Sequence, residues 1–258
     1  MTLGLLSALA LPVLAGLPLG ALGAAFWVNS VAAAVLAVTG YVFLWYALRS
    51  MDLSVLGPIN AYKAVLGLAL ALVMLGEVPT VFGLIGVALI VAGSYFVVDR
   101  VPGQAHGSAF RQFTREPGVQ LRFAALLCSA TESIFLKRAL ILSSPNTAFL
   151  VWTVVCFAIA VTGALLLRRD VGADVMRLRS DWRTYLGLAV STGLMQATTL
   201  VTFGALQVGY SLALFQLSTL VTVYLGHRYF AEGNIRRRLL GSLIMVTGAV
   251  LIVTLGVA

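Results

Sequence analysis

The chain has 258 residues, of which 60% are hydrophobic and 10% charged, with a mean hydropathy of +1.02 and a formal net charge of +8. A soluble domain of this size needs a charged exterior, and here the charges gather in a few short stretches, which excludes a water-soluble globular protein and predicts a polytopic membrane protein. The basic balance does not point to nucleic acid, because the arginines collect between apolar segments and form no basic face interleaved with aromatics.

Windows of about 20 apolar residues, the length that crosses a hydrocarbon core, predict nine spans: 4–26, 29–49, 54–76, 80–98, 119–141, 147–168, 184–206, 210–231 and 236–256. Met1 is followed by Thr2-Leu3-Gly4 with no basic residues, so the first stretch is expected to be retained and not cleaved as a signal peptide. Pro12 and Pro18 predict a kink in it. The stretch 54–76 carries a polar knot, Pro58-Ile59-Asn60-Ala61-Tyr62-Lys63, in an otherwise apolar run. It ends at Leu75-Gly76-Glu77 and the next begins at Thr80, so a loop of about three residues predicts an antiparallel helical hairpin. Residues 99–118 have the composition of a linker, and they divide the chain into halves of four and five spans. The stretch 169–183, with Asp170, Asp174, Arg177, Arg179 and Asp181, could form a short surface helix, but its mixed charge favours a solvated loop. Cys128 and Cys156 fall inside spans, so neither a disulfide nor a metal site is expected.

The hairpin returns in the second half. Ala205 to Glu232 gives one helix and Leu239 to Val253 the next. Glu77 and Glu232 are each followed nine residues later by a glycine (Gly86, Gly241) and seven further on by another (Gly93, Gly248). All lysines and arginines except Lys63, Lys137 and Arg138 fall after alternate spans. They are Arg49; Arg100, Arg111, Arg115 and Arg122; Arg168, Arg169, Arg177, Arg179 and Arg183; and Arg228 with Arg236 to Arg238. Positive-inside reasoning places those loops, and the amino terminus, on the cytoplasmic side, and with nine spans it places the carboxyl terminus outside.

Together, Trp45-Tyr46-Ala47-Leu48, the Pro58 helix ending Leu75-Gly76-Glu77, and Gly86 with Gly93 resemble the end of an EamA repeat. So do Ala205-Leu206, Phe230-Ala231-Glu232, and Gly241 with Gly248. Over nearly its whole length the chain resembles the EamA-type branch of the drug/metabolite transporter superfamily. The resemblance implies a ten-helix all-α fold of two inverted five-helix repeats, with both ends in the cytoplasm. Here residues 1–98 form the first repeat with four helices, lacking a counterpart of the family's first, and residues 119–258 form the second with five. An odd number of spans per repeat inverts its topology, and inverted repeats can alternate access around a midplane cavity.

Two ionisable residues fall deep in the predicted spans, Lys63 and Glu132, each within about three residues of its span's centre, or roughly 5 Å of the midplane. A charge there costs about 2.5–3.5 kcal/mol on insertion scales, so it normally faces a cavity or a partner. Lys63 can hold an anionic group of a solute. Glu132 can titrate, because desolvation and a neighbouring ammonium act on it in opposite senses. The competing reading is a salt bridge that orients helices. Asn60 and Tyr62 flank Lys63, and Gln216 occupies the position of the second repeat that matches Pro58. Gln196, Thr198 and Thr199, with Ser218 and Thr219, are further polar residues at mid-span. Tyr41, Trp45, Tyr46, Trp152 and Tyr210 read as interfacial aromatics, with Tyr41 the exception that lines the cavity. Glu77 and Glu232 read as structural. The candidate substrate-binding set is therefore Lys63, Glu132, Asn60, Tyr62, Gln216, Gln196 and Tyr41.

The function expected is secondary transport, and by resemblance export, of a small metabolite or drug-like solute across a bacterial inner membrane. No Gly-x4-Gly-Lys-Ser/Thr loop exists, so direct drive by ATP is excluded, and proton coupling or exchange remains. An integral-membrane enzyme would need a cluster of nucleophile, base or metal ligands, and His106 and His227 stand alone in loops. A flippase for a lipid-linked substrate is the alternative on the same fold. The expected partners are a small solute, the bilayer and, if coupled, protons. No cofactor, metal or nucleic acid is expected, and monomer and homodimer both stand open.

Overall fold

A computed structural model describes residues 5–8, 10, 19–50, 53–97, 117–166, 171–218, 221 and 235–255. These residues are helical apart from short turns. After a 3-10 turn at Leu19–Ala21 come α1 (Ala24–Ser50), α2 (Leu53–Leu75), α3 (Val81–Val97), α4 (Pro117–Ile141), α5 (Pro145–Leu166), α6 (Val171–Ser180), α7 (Trp182–Ala205), α8 (Val208–Leu214), which tightens into a 3-10 turn at Phe215–Leu217, and α9 (Ile235–Leu255). Within the described residues α1, α4, α5 and α7 are long and apolar enough to cross a membrane, and shorter apolar runs lie in α2, α3, α9 and the α8 segment. The protein is all-helical, with apolar helices that fit a membrane-embedded chain.

The expected boundaries match these helices closely, with two differences. The stretch 169–183 is not a loop: α6 occupies it, with Arg177 and Arg179 in its last turn, where cations complement the helix dipole. The expected first stretch, 4–26, overlaps α1, which begins at Ala24. Pro12, Pro18, most of the linker, Thr219, His106, His227, Glu232 and most of the far half of 210–231 lie outside the described residues.

Local chemistry sets the helix ends. Proline occupies the first position of both α4 and α5, where its missing N–H costs nothing. Ser144 caps α5, accepting the Thr147 N–H at 3.2 Å. The hairpin turn between α2 and α3 closes on Gly76, whose φ of +68° only glycine adopts without strain. The Glu77 N–H donates back to the Ala71 carbonyl at 3.2 Å, and Thr80 caps α3 by accepting the Gly83 N–H at 3.0 Å.

The chain forms two compact units, Met1–Thr39 with Thr131–Ala205, and Gly40–Ala130 with Leu206–Ala258. Each therefore takes segments from both sides of the linker, and α1 and α4 contribute to both. In the first unit, α7 buries Ala189, Gly193, Gln196, Leu200 and Phe203 at alternating steps of four and three, a stripe along one helix face. α5 buries Leu150, Val151, Trp152, Thr153 and Cys156, and Phe26, Ala139, Leu150 and Val151 form part of one apolar cluster.

The second unit is built on close backbone approach. A Cβ on Gly86 would lie 2.7 Å from the Gly248 carbonyl oxygen, and one on Gly93 would lie 2.7 Å from that of Gly241. Since residue numbers rise along α3 as they fall along α9, the two helices pack antiparallel with their backbones in contact, as small residues in apolar helices permit. α8 sits at the start of this assembly. Glu77 accepts the Val208 N–H at 2.8 Å, so a carboxylate from the α2–α3 turn caps α8, and the Thr80 N–H donates to the Tyr210 hydroxyl at 2.8 Å.

Candidate functional site

In the second unit a polar cluster forms around Asn60, two turns into α2. Its side-chain oxygen accepts a hydrogen bond from Arg122 Nη2, and its main-chain carbonyl accepts one from Gln216 Nε2 at 2.9 Å. Three segments far apart in sequence, α2, the start of α4 and the 3-10 turn after α8, thus meet through one asparagine. Asn60, Arg122 and Gln216 are all half-buried. Tyr62 packs on Phe123, ring centroids 5.8 Å apart, and with Leu66 joins an apolar cluster with Val119 and Leu126. Lys63 is half-buried one turn beyond Asn60 on the same side of α2.

In the first unit the half-buried carboxylate of Glu132 accepts the indole N–H of Trp152 at 3.1 Å. Trp152 is 1% exposed, so its one polar atom had to find an acceptor inside the helices. Cys156, one turn on, is also buried, and its thiol points to the Ala34 carbonyl at 3.9 Å. Gln196 lies mid-way along the buried stripe of α7.

The expected site residues are thereby sorted. Asn60, Gln216, Tyr62 and Lys63 belong to the second unit, and the hydrogen bonds join Asn60 to Gln216 directly. Glu132 and Gln196 belong to the first unit. Tyr41, expected to be the deeper aromatic, is 46% exposed, against 38% for Trp45 and 49% for Tyr46, so its burial does not set it apart from its interfacial neighbours. Two aromatics assigned to the interface are instead buried. Trp152 binds Glu132, and Tyr210, 0% exposed, receives the Thr80 N–H. In both, a polar partner inside the protein replaces interfacial water. Thr198 and Thr199 donate to carbonyls of their own helix at 2.8 and 2.7 Å, which accounts for two hydroxyls in an apolar segment without a solute.

Arg122 is the residue that sequence reasoning misplaced. The charge count groups it with loop arginines, yet it lies in the second turn of α4 with its guanidinium on Asn60. The signal was present, since residue 122 falls three positions inside the apolar window that begins at 119.

No protein-family model matches this chain, and no curated protein matches it. Among solved structures, a chain described only as "Crystal structure of protein" superposes with a TM-score of 0.65, covering 99% of this chain and 94% of its own at 14% identity. That likeness establishes a shared fold and nothing about activity. What fold and geometry define together is a class: an all-helical protein with apolar helices compatible with a membrane, and polar groups tied to one another inside it.

Proposed function

We propose that this chain is a secondary transporter of the EamA kind, moving a small metabolite or drug-like solute outward across a bacterial cytoplasmic membrane by alternating access. The observation that carries this reading is the reciprocal glycine packing of α3 on α9. In the sequence repeat Gly86 corresponds to Gly241, and Gly93 to Gly248. Exchanging the repeats turns the Gly86–Gly248 contact into the Gly241–Gly93 contact, so the pair of contacts maps onto itself. A two-fold axis between equivalent antiparallel helices produces such self-complementary pairing, and inverted repeats related in that way underlie alternating access.

On this reading Asn60, Tyr62, Lys63 and Gln216 meet the solute, and Glu132 is the group that titrates. The geometry lends Gln196 and Tyr41 no added support. The test is reconstitution into liposomes with an imposed pH gradient and a panel of labelled amino acids and cationic drugs. Solute flux driven by the gradient is the expected result, while movement of lipid headgroups alone would transfer the fold to a flippase. Glu132→Gln keeps an acceptor for Trp152 but cannot ionise. It is expected to retain solute exchange while losing dependence on the pH gradient, and unchanged pH dependence would remove Glu132 from the coupling role.

A further inference from the structure

We propose that Arg122, anchored by the side chain of an asparagine (Asn60) whose main-chain carbonyl holds Gln216, is an anion-recognition site for a small organic carboxylate. As the substrate class of the transporter proposed above this rests on that reading; as a binding site it stands alone. Arg122 lies in an apolar helix and keeps its charge at any pH the protein meets. Its Nη2 donates to the neutral amide oxygen of Asn60, which orients the guanidinium without compensating it. Its Nε is enclosed and has no acceptor. A buried donor left in this way calls for a partner, and the edge of a guanidinium matches the two oxygens of a carboxylate in a fork.

Asn60 can add a donor. With Asn60 Oδ1 turned to Arg122, the amide's NH2 becomes the group offered elsewhere. Gln216 is held in place by donating to the Asn60 main-chain carbonyl. Lys63 lies one turn along the same side of α2. Among the described residues of the second unit, Glu77 is the one acid. It caps α8 at the far end of α2, roughly 22 Å of helix away. A guanidinium oriented by one neutral amide, with its Nε unpartnered, thus points to a single delocalised negative charge as its complement.

The test compares each acid with its own amide on the full chain purified in detergent, by calorimetric titration and thermal shift. The pairs are benzoate with benzamide, L-leucine with L-leucinamide, and L-phenylalanine with L-phenylalaninamide. At least one carboxylate is expected to bind about tenfold or more tightly than its amide, with Arg122→Gln removing the preference and Arg122→Lys, a point charge without the fork, keeping part of it. Equal binding within every pair, no binding by any carboxylate, or a preference that survives Arg122→Gln would each overturn the site. If Arg122→Gln does not fold, Asn60→Ala takes its place, because freeing the guanidinium from its anchor should weaken carboxylate binding and leave amide binding unchanged. The same variants in liposomes separate the two readings. Carboxylate binding that follows Arg122 without any solute flux defeats transport and leaves the site. Flux of amides and cations with no carboxylate binding leaves transport and defeats the site.

Discussion

The two units solve the same problem, joining apolar helices, by opposite means. The first packs around large side chains, with Trp152, Phe203 and Phe26 buried and the stripe of α7 interrupted by one polar residue, Gln196. The second packs backbone on backbone through Gly86, Gly93, Gly241 and Gly248. Their half-buried charges differ in the same fashion. In the first unit an acid accepts from an aromatic ring nitrogen, and in the second a base donates to an amide. Each of these two hydrogen bonds joins a charged group to a neutral one. At Arg122 the neutral amide fixes the geometry of the guanidinium without cancelling its charge, as a salt bridge would.

The sharpest way to break the comparison is to place bulk at the glycine contact. Gly86→Leu would drive its Cβ against the Gly248 carbonyl and Ile252 Cγ1, at 2.7 and 2.6 Å before any movement. A loss of about 3 kcal/mol or more is expected, read as a collapse of thermal stability in detergent. Gly187→Ala in α7, where a Cβ meets nothing within 4 Å, should be neutral or stabilise by up to about 1 kcal/mol. Equal effects at the two positions would show that close approach does not hold the second unit.

Next in size is the charge of the first unit. Trp152→Phe removes the donor to Glu132 while keeping most of the buried ring. It is expected to cost about 1–3 kcal/mol, and in combination with Glu132→Gln the loss should fall short of the sum of the two. Additive losses would mean that the indole and the carboxylate do not act as a pair.

The smallest effect concerns the α2–α3 turn. Glu77→Ala leaves the Val208 N–H without its carboxylate and should cost about 0.5–2 kcal/mol, with Glu77→Gln losing less because it still accepts. Faster amide exchange at Val208 in the alanine variant alone would place the effect at this cap.

Much of this was legible in the residues, and for a physical reason. An apolar run of about 20 residues must satisfy its own backbone hydrogen bonds, so hydropathy located most of the described helices to within a few residues. Leu75-Gly76-Glu77 announced a turn because a helix end needs a residue at positive φ. The structural reading of Glu77 followed from its place beside that turn. Hydropathy alone left α6 undecided: its mixed charge favoured a solvated loop over a short surface helix, although Arg177 and Arg179 fall where a helix end accepts cations.

What only the tertiary structure decided is which polar group meets which. No spacing rule ties Asn60 to Arg122, Glu132 to Trp152, or Thr80 to Tyr210, because each pair spans separate segments brought together by packing. Sequence determines that a charge sits at a certain depth, since depth is counted along one helix. It does not determine what the charge faces, since that depends on the rotation of each helix against its neighbours, set by contacts such as Gly86 on Gly248.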